Sequence, residues 1–154
     1  SKKRDRIKSN DAISQDDSLL SAFLRETLVT PLSGQMTAFG EQIYLLPDQA
    51  PSLHGLKVLR AGLHLGQLSG KRFIPGHALA LSLRPEQDVN YANLDTSDPQ
   101  QLQTAIRFIS GETFPYEGKN GWYLICIDGY SLGWGKLAGS IMKNHYPKGL
   151  RKHL

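Results

Sequence analysis

The last 26 residues of the chain, 129–154, hold the side chains best suited to bind an anionic partner. This stretch has five Lys/Arg and no Asp or Glu, whereas residues 9–128 have eight Lys/Arg against thirteen Asp/Glu. The first eight residues are basic again, with five Lys/Arg and one Asp. Because the positive charge is concentrated at the two ends, we expect the basic carboxyl-terminal stretch to attract a polyanion.

The candidate contact residues in this stretch combine cations with aromatic and amide side chains. They are Lys136, Lys143, Asn144, His145, Tyr146, Lys148 and Arg151. Four cations on four phosphates would give log affinity a slope of about −3 against log salt concentration. The rings would stack on unpaired bases for about 1–3 kcal/mol each, and the Asn144 amide offers donors and an acceptor to a base edge. Arg72, at a predicted hairpin tip, is a further candidate.

Each of these features also has a purely structural interpretation. The lysines can form a solvated face, and Tyr146 can hold the tail against the domain. Trp122 and Trp134 lie in strand-like segments and are expected in the core. The glycines between residues 133 and 139 indicate either a sharp bend in a sheet or the close approach of a nucleic-acid backbone.

Nucleophilic and metal chemistry receive little support from the sequence. Residues 129–133 match the Gly-x-Ser-x-Gly elbow of hydrolases around Ser131, but that elbow must open a helix, and this segment has the pattern of a strand. Cys126, the one cysteine, has apolar neighbours typical of a buried structural thiol. The five histidines show no ligand spacing, and no phosphate-binding glycine loop occurs. We expect no metal site.

The bulk composition is that of an ordinary globular domain with a small appendage. The 154 residues are 40% hydrophobic and 21% charged. No apolar run approaches the ~20 residues that a membrane span needs, so we expect no membrane partner. The basic amino terminus lacks the apolar segment of a signal peptide, and a single cysteine agrees with a reducing compartment, so we expect a cytoplasmic location.

The amino-terminal part predicts a linker, a helix and a hairpin. Residues 1–15 are polar and lack apolar periodicity. A helical stripe of apolar residues spans 16–28, and two short strands surround the turn at residues 40–41. A boundary is expected near residue 48. Three glycine-separated strands are predicted next, at residues 56–60, 63–68 and 71–74.

The second half predicts two helices among further short strands. Residues 77–83 suit a strand or a short helix, and we favour the helix; residues 89–94 suit a strand. A longer helix should begin at Ser97, its expected cap, and end before Gly111. The last strands are predicted at residues 112–116, 122–127 and 130–137, with Asp128 and Gly129 as a tight hairpin turn. The fold class is therefore α+β, mainly β: a small barrel or curled sheet with short helices.

Several stretches, in order, resemble a known family. They are LRAGLHLG at 59–66, FIPGHALAL at 73–81, FISGETF at 108–114 and DGYSLGWGK at 128–136, continuing to KNHYPKGLR at 143–151. The chain is similar over about residues 43–151 to the C-terminal RNA-binding region of bacterial RsmF-type 16S rRNA (cytosine-C5) methyltransferases. That resemblance implies a PUA-like pseudo-barrel over residues 48–154, preceded by a small pre-PUA segment at residues 16–47 and a linker at residues 1–15.

The resemblance also implies a role and partners. The parent enzyme would transfer a methyl group from S-adenosylmethionine to 16S rRNA, either free or in the small ribosomal subunit. The catalytic half needs a glycine-rich cofactor loop and two cysteines, which this chain lacks. The chain would therefore be a non-catalytic RNA-binding module with no cofactor of its own and no DNA partner. The alternative is a domain that docks on its own methyltransferase domain without RNA contact, through Phe39, Met142 and Leu150.

Overall fold

The computed structural model describes residues 11–12, 18–47 and 62–154, and the chain divides into two compact units. The first unit comprises residues up to 25 and residues 31–79. The second unit comprises Glu26–Thr30 and Ala80–Leu154. Helix α1 (Ser18–Thr27) and helix α2 (His77–Ser82) each contain a boundary between the two units.

The first unit is built on an antiparallel sheet of five strands in sequential order. These strands are β1 (Asp11–Ala12), β2 (Gln35–Phe39), β3 (Gln42–Leu46), β4 (Leu63–Ser69) and β5 (Arg72–Pro75). The α1 side chain of Phe23 packs on Phe73 of β5, with ring centroids 4.9 Å apart. Both rings are buried, so the apolar stripe that predicted α1 is the surface that the helix buries in this unit.

The second unit contains another five-stranded sheet and the remaining helices. Its strands, in the spatial order β6-β8-β9-β10-β7, are β6 (Tyr91–Leu94), β7 (Phe114–Pro115), β8 (Gly121–Ile127), β9 (Tyr130–Ala138) and β10 (Ile141–Asn144). Strand β6 pairs with β8 in parallel, and the other pairs are antiparallel. The helices are α3 (Pro85–Asp88) and α4 (Pro99–Ile109), and a 3-10 helix follows at Lys148–Leu150.

Helix α4 covers one face of this sheet and completes the core of the second unit. Its Ala105 and Phe108 pack with Ile125, Leu137 and Met142 from the three central strands. Asp98 caps the helix, because its side chain accepts the Gln100 backbone N–H. The predicted cap, Ser97, is one residue too early: its hydroxyl donates to Asp95 instead. Either position places an oxygen acceptor at the helix start, and the Asp98 carboxylate also suits the helix dipole.

Most predicted elements are present where the structure describes them. The structure confirms the first predicted helix, the first hairpin, the short helix at residues 77–82 and the turn at Asp128 and Gly129. Asp128 (φ 49°) and Gly129 (φ 86°) both adopt the left-handed conformation that such a turn requires. Strand β10 and helix α3 were not predicted. The predicted strand at residues 56–60 and the predicted boundary near residue 48 lie outside the described residues.

The compact units divide the chain at places other than the predicted domain bounds, which stay a prediction. Strand β3 pairs with β4, and the Leu68 backbone N–H donates to the Glu41 carbonyl oxygen at 2.8 Å. The hairpin assigned to the pre-PUA segment thus shares one sheet with strands assigned to the PUA-like domain. The boundary between the compact units falls between Leu79 and Ala80.

Candidate nucleic-acid interface

The two faces of the β8–β9–β10 sheet differ in chemistry. Side chains alternate between the faces of a strand. Leu137 and Met142 point into the core beneath α4, where Gly135 leaves room for the Met142 side chain. The cross-strand partners Trp122, Lys136 and Lys143 lie on the other face. One face of the sheet therefore packs against α4, and the other face carries Trp122, Lys136 and Lys143 together with the buried Trp134.

These three residues and His145 form a cluster that we call the basic-aromatic row. The Lys136 ammonium lies 5.2 Å from the centre of the Trp122 ring, within reach of a cation–π interaction. The His145 ring meets the same indole edge-on, with centroids 4.6 Å apart. The His145 backbone N–H donates to the Trp134 carbonyl oxygen, which fixes the chain just beyond β10. Lys143 and His145 are exposed, and Trp122 and Lys136 are half-buried.

The second tryptophan, Trp134, packs beside the row on the same face of the sheet. Trp134 is 1% exposed and meets Trp122 edge-on at 6.4 Å. The prediction that Trp134 belongs to the core is confirmed. The same prediction for Trp122 is wrong, because this ring is only half-buried and lies between Lys136 and His145. Trp122 is thus the residue of this surface that the sequence did not identify.

The tail that follows β10 is attached to the end of helix α4. The Lys152 backbone N–H donates to the Ile109 carbonyl oxygen, and the Arg151 Nε donates to the Tyr146 carbonyl oxygen at 3.2 Å. The Arg151 stem also packs on Gly111, so this half-buried side chain has a structural role. Lys148 is exposed in the 3-10 helix. Of the two predicted tail cations, Lys148 is therefore the better placed to meet a phosphate.

Asn144 and Tyr146 serve the fold rather than an open surface. The Asn144 amide donates to the carbonyl oxygens of Phe108 and Glu112, and its oxygen accepts the Tyr146 backbone N–H at 2.8 Å. Both amide protons are therefore used within the fold, and the contact of Asn144 with a base edge stays a prediction. The half-buried Tyr146 ring packs on Phe108 with centroids 5.3 Å apart. This geometry agrees with the alternative in which Tyr146 holds the tail.

Arg72 lies in the first unit. It is exposed at the first position of β5, opposite Ser69 across the turn. The structure thus brings Lys136, Lys143 and His145 together with Trp122 on one sheet face, and it places Arg72 in the other compact unit.

The cations of the basic-aromatic row are not neutralised by nearby carboxylates. Within the described ranges, the ion pairs are Arg84 with Asp88 and Arg107 with Glu112. Neither pair includes a lysine of the row. Because a carboxylate partner would cancel the local positive charge, the absence of such pairs leaves the lysines available to an incoming anion.

The two candidate nucleophiles are structural. The Ser131 hydroxyl donates to the Leu83 carbonyl oxygen at 2.9 Å from within β9, so it does not stand on a strand-to-helix elbow. Cys126 is fully buried in β8, and burial raises its pKa to about 11, so the thiol stays protonated near neutral pH. Among the described residues there is no group of three or more His, Cys, Asp and Glu side chains that could hold a metal. In the same part of the chain no helix is both long and apolar enough to cross a lipid bilayer.

The architecture and the surface define a class of protein. The second unit is a mixed helix–sheet domain with a curled sheet and short helices, in agreement with a PUA-like fold. Comparison with protein families specifies it further. Residues 22–83 match the model of the RsmF rRNA methyltransferase first C-terminal domain, and residues 99–152 match the model of the methyltransferase RsmF PUA domain. The chain therefore belongs to the RsmF-type rRNA methyltransferase family and corresponds to its C-terminal region.

The two family matches follow the compact units closely. The first match covers residues of the first unit except for two short stretches, 26–30 and 80–83, which belong to the second unit. The second match lies wholly within the second unit. The basic-aromatic row falls in the PUA match. The family and the fold thus assign the row to the PUA domain and Arg72 to the domain before it.

Proposed function

We propose that this chain is the RNA-binding module of an S-adenosylmethionine-dependent 16S rRNA (cytosine-C5) methyltransferase. Its second unit binds rRNA through Lys136, Lys143, His145 and Lys148, and the bound rRNA is thereby positioned for a separate catalytic domain. S-adenosylmethionine would be bound by that catalytic domain. An rRNA substrate, free or in the small subunit, agrees with the cytoplasmic location expected from the sequence.

The single observation that carries the proposal is the row itself. Lys136 and His145 contact Trp122, and Lys143 lies opposite Lys136 on the sheet face that is turned away from α4. No carboxylate among the described residues pairs with either lysine. Cations neutralise phosphates, and aromatic rings beside them suit unpaired bases. Asn144, Tyr146 and Arg151 support this surface indirectly, because they fix the tail that carries Lys148.

The experiment is binding of the chain to fluorescently labelled small-subunit rRNA, measured by anisotropy over a range of salt concentrations. The test variant combines Lys136→Gln, Lys143→Gln and Lys148→Gln. Three lost phosphate contacts should reduce the slope of log affinity against log salt by about 2. The matched control combines Arg84→Gln, Arg107→Gln and Lys119→Gln, which removes the same charge from exposed positions of the same unit.

Equal slope changes in both triple variants would show that only net charge matters and would contradict the assignment to the row. An unchanged slope in both would shift the role to docking on the catalytic domain. In that case the isolated catalytic domain should shift NMR resonances of this chain without RNA. Met142, one of the predicted docking residues, is 0% exposed and excluded from such an interface, whereas Leu150 is 45% exposed and available to it.

A further inference from the structure

A recess in the PUA domain shares no residue with the basic-aromatic row. It is a cleft of about 380 Å³ between β6, the first turns of α4 and the short strand β7. This volume is within the range of about 300–1,000 Å³ that is usual for small-molecule sites. Its lining includes four polar side chains, from Asn93, Gln100, Gln101 and Thr104, and the aromatic rings of Phe114 and Tyr116.

Two of the polar residues are fixed by the protein and form a preformed wall. The Gln101 side-chain oxygen accepts a hydrogen bond from the Asp95 backbone N–H at 2.8 Å, and its NH₂ group donates to the Asp98 carboxylate at 2.9 Å. The Thr104 hydroxyl donates to the Gln100 carbonyl oxygen at 3.1 Å. Because these bonds stay within α4 and its capping loop, the wall does not have to rearrange to accept a ligand.

Three other polar groups of the lining keep unused hydrogen-bonding capacity. The Asn93 oxygen accepts the Gly129 backbone N–H, but its NH₂ group makes no hydrogen bond with the described residues. Among those residues, the Gln100 side-chain amide and the Tyr116 hydroxyl also make none. Burial, with smaller contributions from the charges of Tyr123 and Tyr91, raises the pKa of Tyr116, so its hydroxyl remains a donor at neutral pH.

The cleft lining selects against charged groups. None of its residues is Lys, Arg, Asp or Glu, so a phosphate would find no cation there. A flat, uncharged ring with donors and acceptors on its edge suits both parts of the lining: the partly exposed Tyr116 ring, which packs on the buried Phe114, for its face, and the amides for its edge. We propose that this cleft binds one unpaired nucleobase, read by the side chains of Gln100, Asn93 and Tyr116.

The inference extends the proposed function, because the base would reach the cleft as part of an rRNA whose phosphates contact the basic-aromatic row. The cleft would give the module a preference among unpaired bases that lysine–phosphate contacts do not provide. A nucleoside without phosphate should nevertheless bind the cleft by itself, which allows the two proposals to be tested separately.

The experiment is a two-dimensional NMR titration of the whole chain with two sets of probes. The first set is cytidine, uridine, adenosine and guanosine, added one at a time. The second set is a mixture of single-stranded RNA pentanucleotides of all sequences. At least one nucleoside should cause saturable shifts in the side-chain amide signals of Asn93 and Gln100. Gln100→Ala should weaken that nucleoside's binding about tenfold, as for the loss of one or two hydrogen bonds.

Two controls separate the cleft from the rest of the surface. Gln103→Ala lies on the same helix, exposed and outside the cleft, and should leave nucleoside affinity unchanged. The triple variant at Lys136, Lys143 and Lys148 should weaken pentanucleotide binding and leave nucleoside binding unchanged. Pentanucleotides that shift only the row would overturn the nucleobase site and leave the proposed function intact. Nucleoside shifts that are insensitive to Gln100→Ala would also overturn it.

Discussion

The contact between Lys136 and Trp122 holds a cation in place without neutralising it. An ion pair would orient the ammonium equally well, but the carboxylate would remove the positive potential that attracts a phosphate. The indole ring, 5.2 Å from the Lys136 nitrogen, provides an electrostatic partner that carries no net charge. The lysine therefore loses conformational freedom in advance while its charge stays available to an anionic ligand.

Trp122→Leu should weaken rRNA binding without changing its salt dependence. The substitution removes the cation–π contact, worth about 0.5–1 kcal/mol at an exposed site, but leaves every charge in place. Affinity measured by anisotropy should fall several-fold, and the slope against log salt should stay that of the unmodified chain. Trp122→Phe, which keeps an aromatic face, should recover part of the affinity. A change of slope in Trp122→Leu would mean that the ring acts by placing a phosphate contact.

An irregularity in the pairing of β8 with β9 explains why Trp122 was not predicted beside Lys136, Lys143 and His145. A two-residue turn at Asp128 and Gly129 pairs Ile127 with Tyr130, and a regular ladder would then place Trp122 opposite Gly135, on the core face. The observed register shifts between Ile125 and Cys126, where an extra residue on β9 is left unpaired. Trp122 consequently pairs with Lys136. Strands and turns follow from local patterns, but the position of a bulge depends on the packing of the whole sheet.

Asn144 connects the end of β10 to the end of helix α4. Its amide protons satisfy the carbonyl oxygens of Phe108 and Glu112, near a helix end where carbonyls lack partners within the helix. Asn144→Ala should lower the free energy of unfolding by about 2–3 kcal/mol, because the side chain's three hydrogen bonds, two donated and one accepted, are lost. Urea denaturation measures this, with the exposed Asn120→Ala as the control expected to have little effect. Unchanged stability together with weaker RNA binding would instead favour the predicted contact to a base.

Gly135 permits the close packing of β9 on β10 in the core. A β-carbon at this position would lie 2.8 Å from both Cγ and Sδ of Met142 and 3.1 Å from Ile125. Gly135→Ala should therefore destabilise the protein by about 1–3 kcal/mol through overpacking. Gly149→Ala is the matched control, because a β-carbon there meets no atom within 4 Å. Comparable urea midpoints for the two variants would show that Met142 moves aside freely. The packing also favours a structural origin for this glycine over contact with an RNA backbone.

The charge distribution and the strand pairing describe two different properties of the molecule: where it carries positive charge, and how the chain divides into units. The uneven charge distribution predicts anion binding at the carboxyl-terminal end, because charge is additive and can be read without a fold. The division into units depends instead on pairings between distant residues. Glu26–Thr30 belongs to the second unit, since the Val29 N–H donates to the Asp88 carbonyl oxygen and the Asn90 N–H to that of Thr27. A sequence pattern does not reveal such an exchange of segments.

Native-state hydrogen exchange of the whole chain can decide where the cooperative units divide. Amides that open together share one free energy and one urea dependence. If the division lies between Leu79 and Ala80, the amides of β2 and β3 should open at the same free energy as those of β4 and β5. This group includes the Leu68 amide, which donates to Glu41.

The same measurement tests the segment 26–30. The amides of Val29 and Asn90 should open at the same free energy as those of the central strands β8 and β9, because both donate hydrogen bonds within the second unit. A division near residue 48 would give the opposite pattern: β2 and β3 would open at a free energy of their own, well separated from that of β4 and β5. The backbone pairing of β3 with β4 makes that outcome costly, since opening either hairpin alone would leave a row of strand hydrogen bonds without partners.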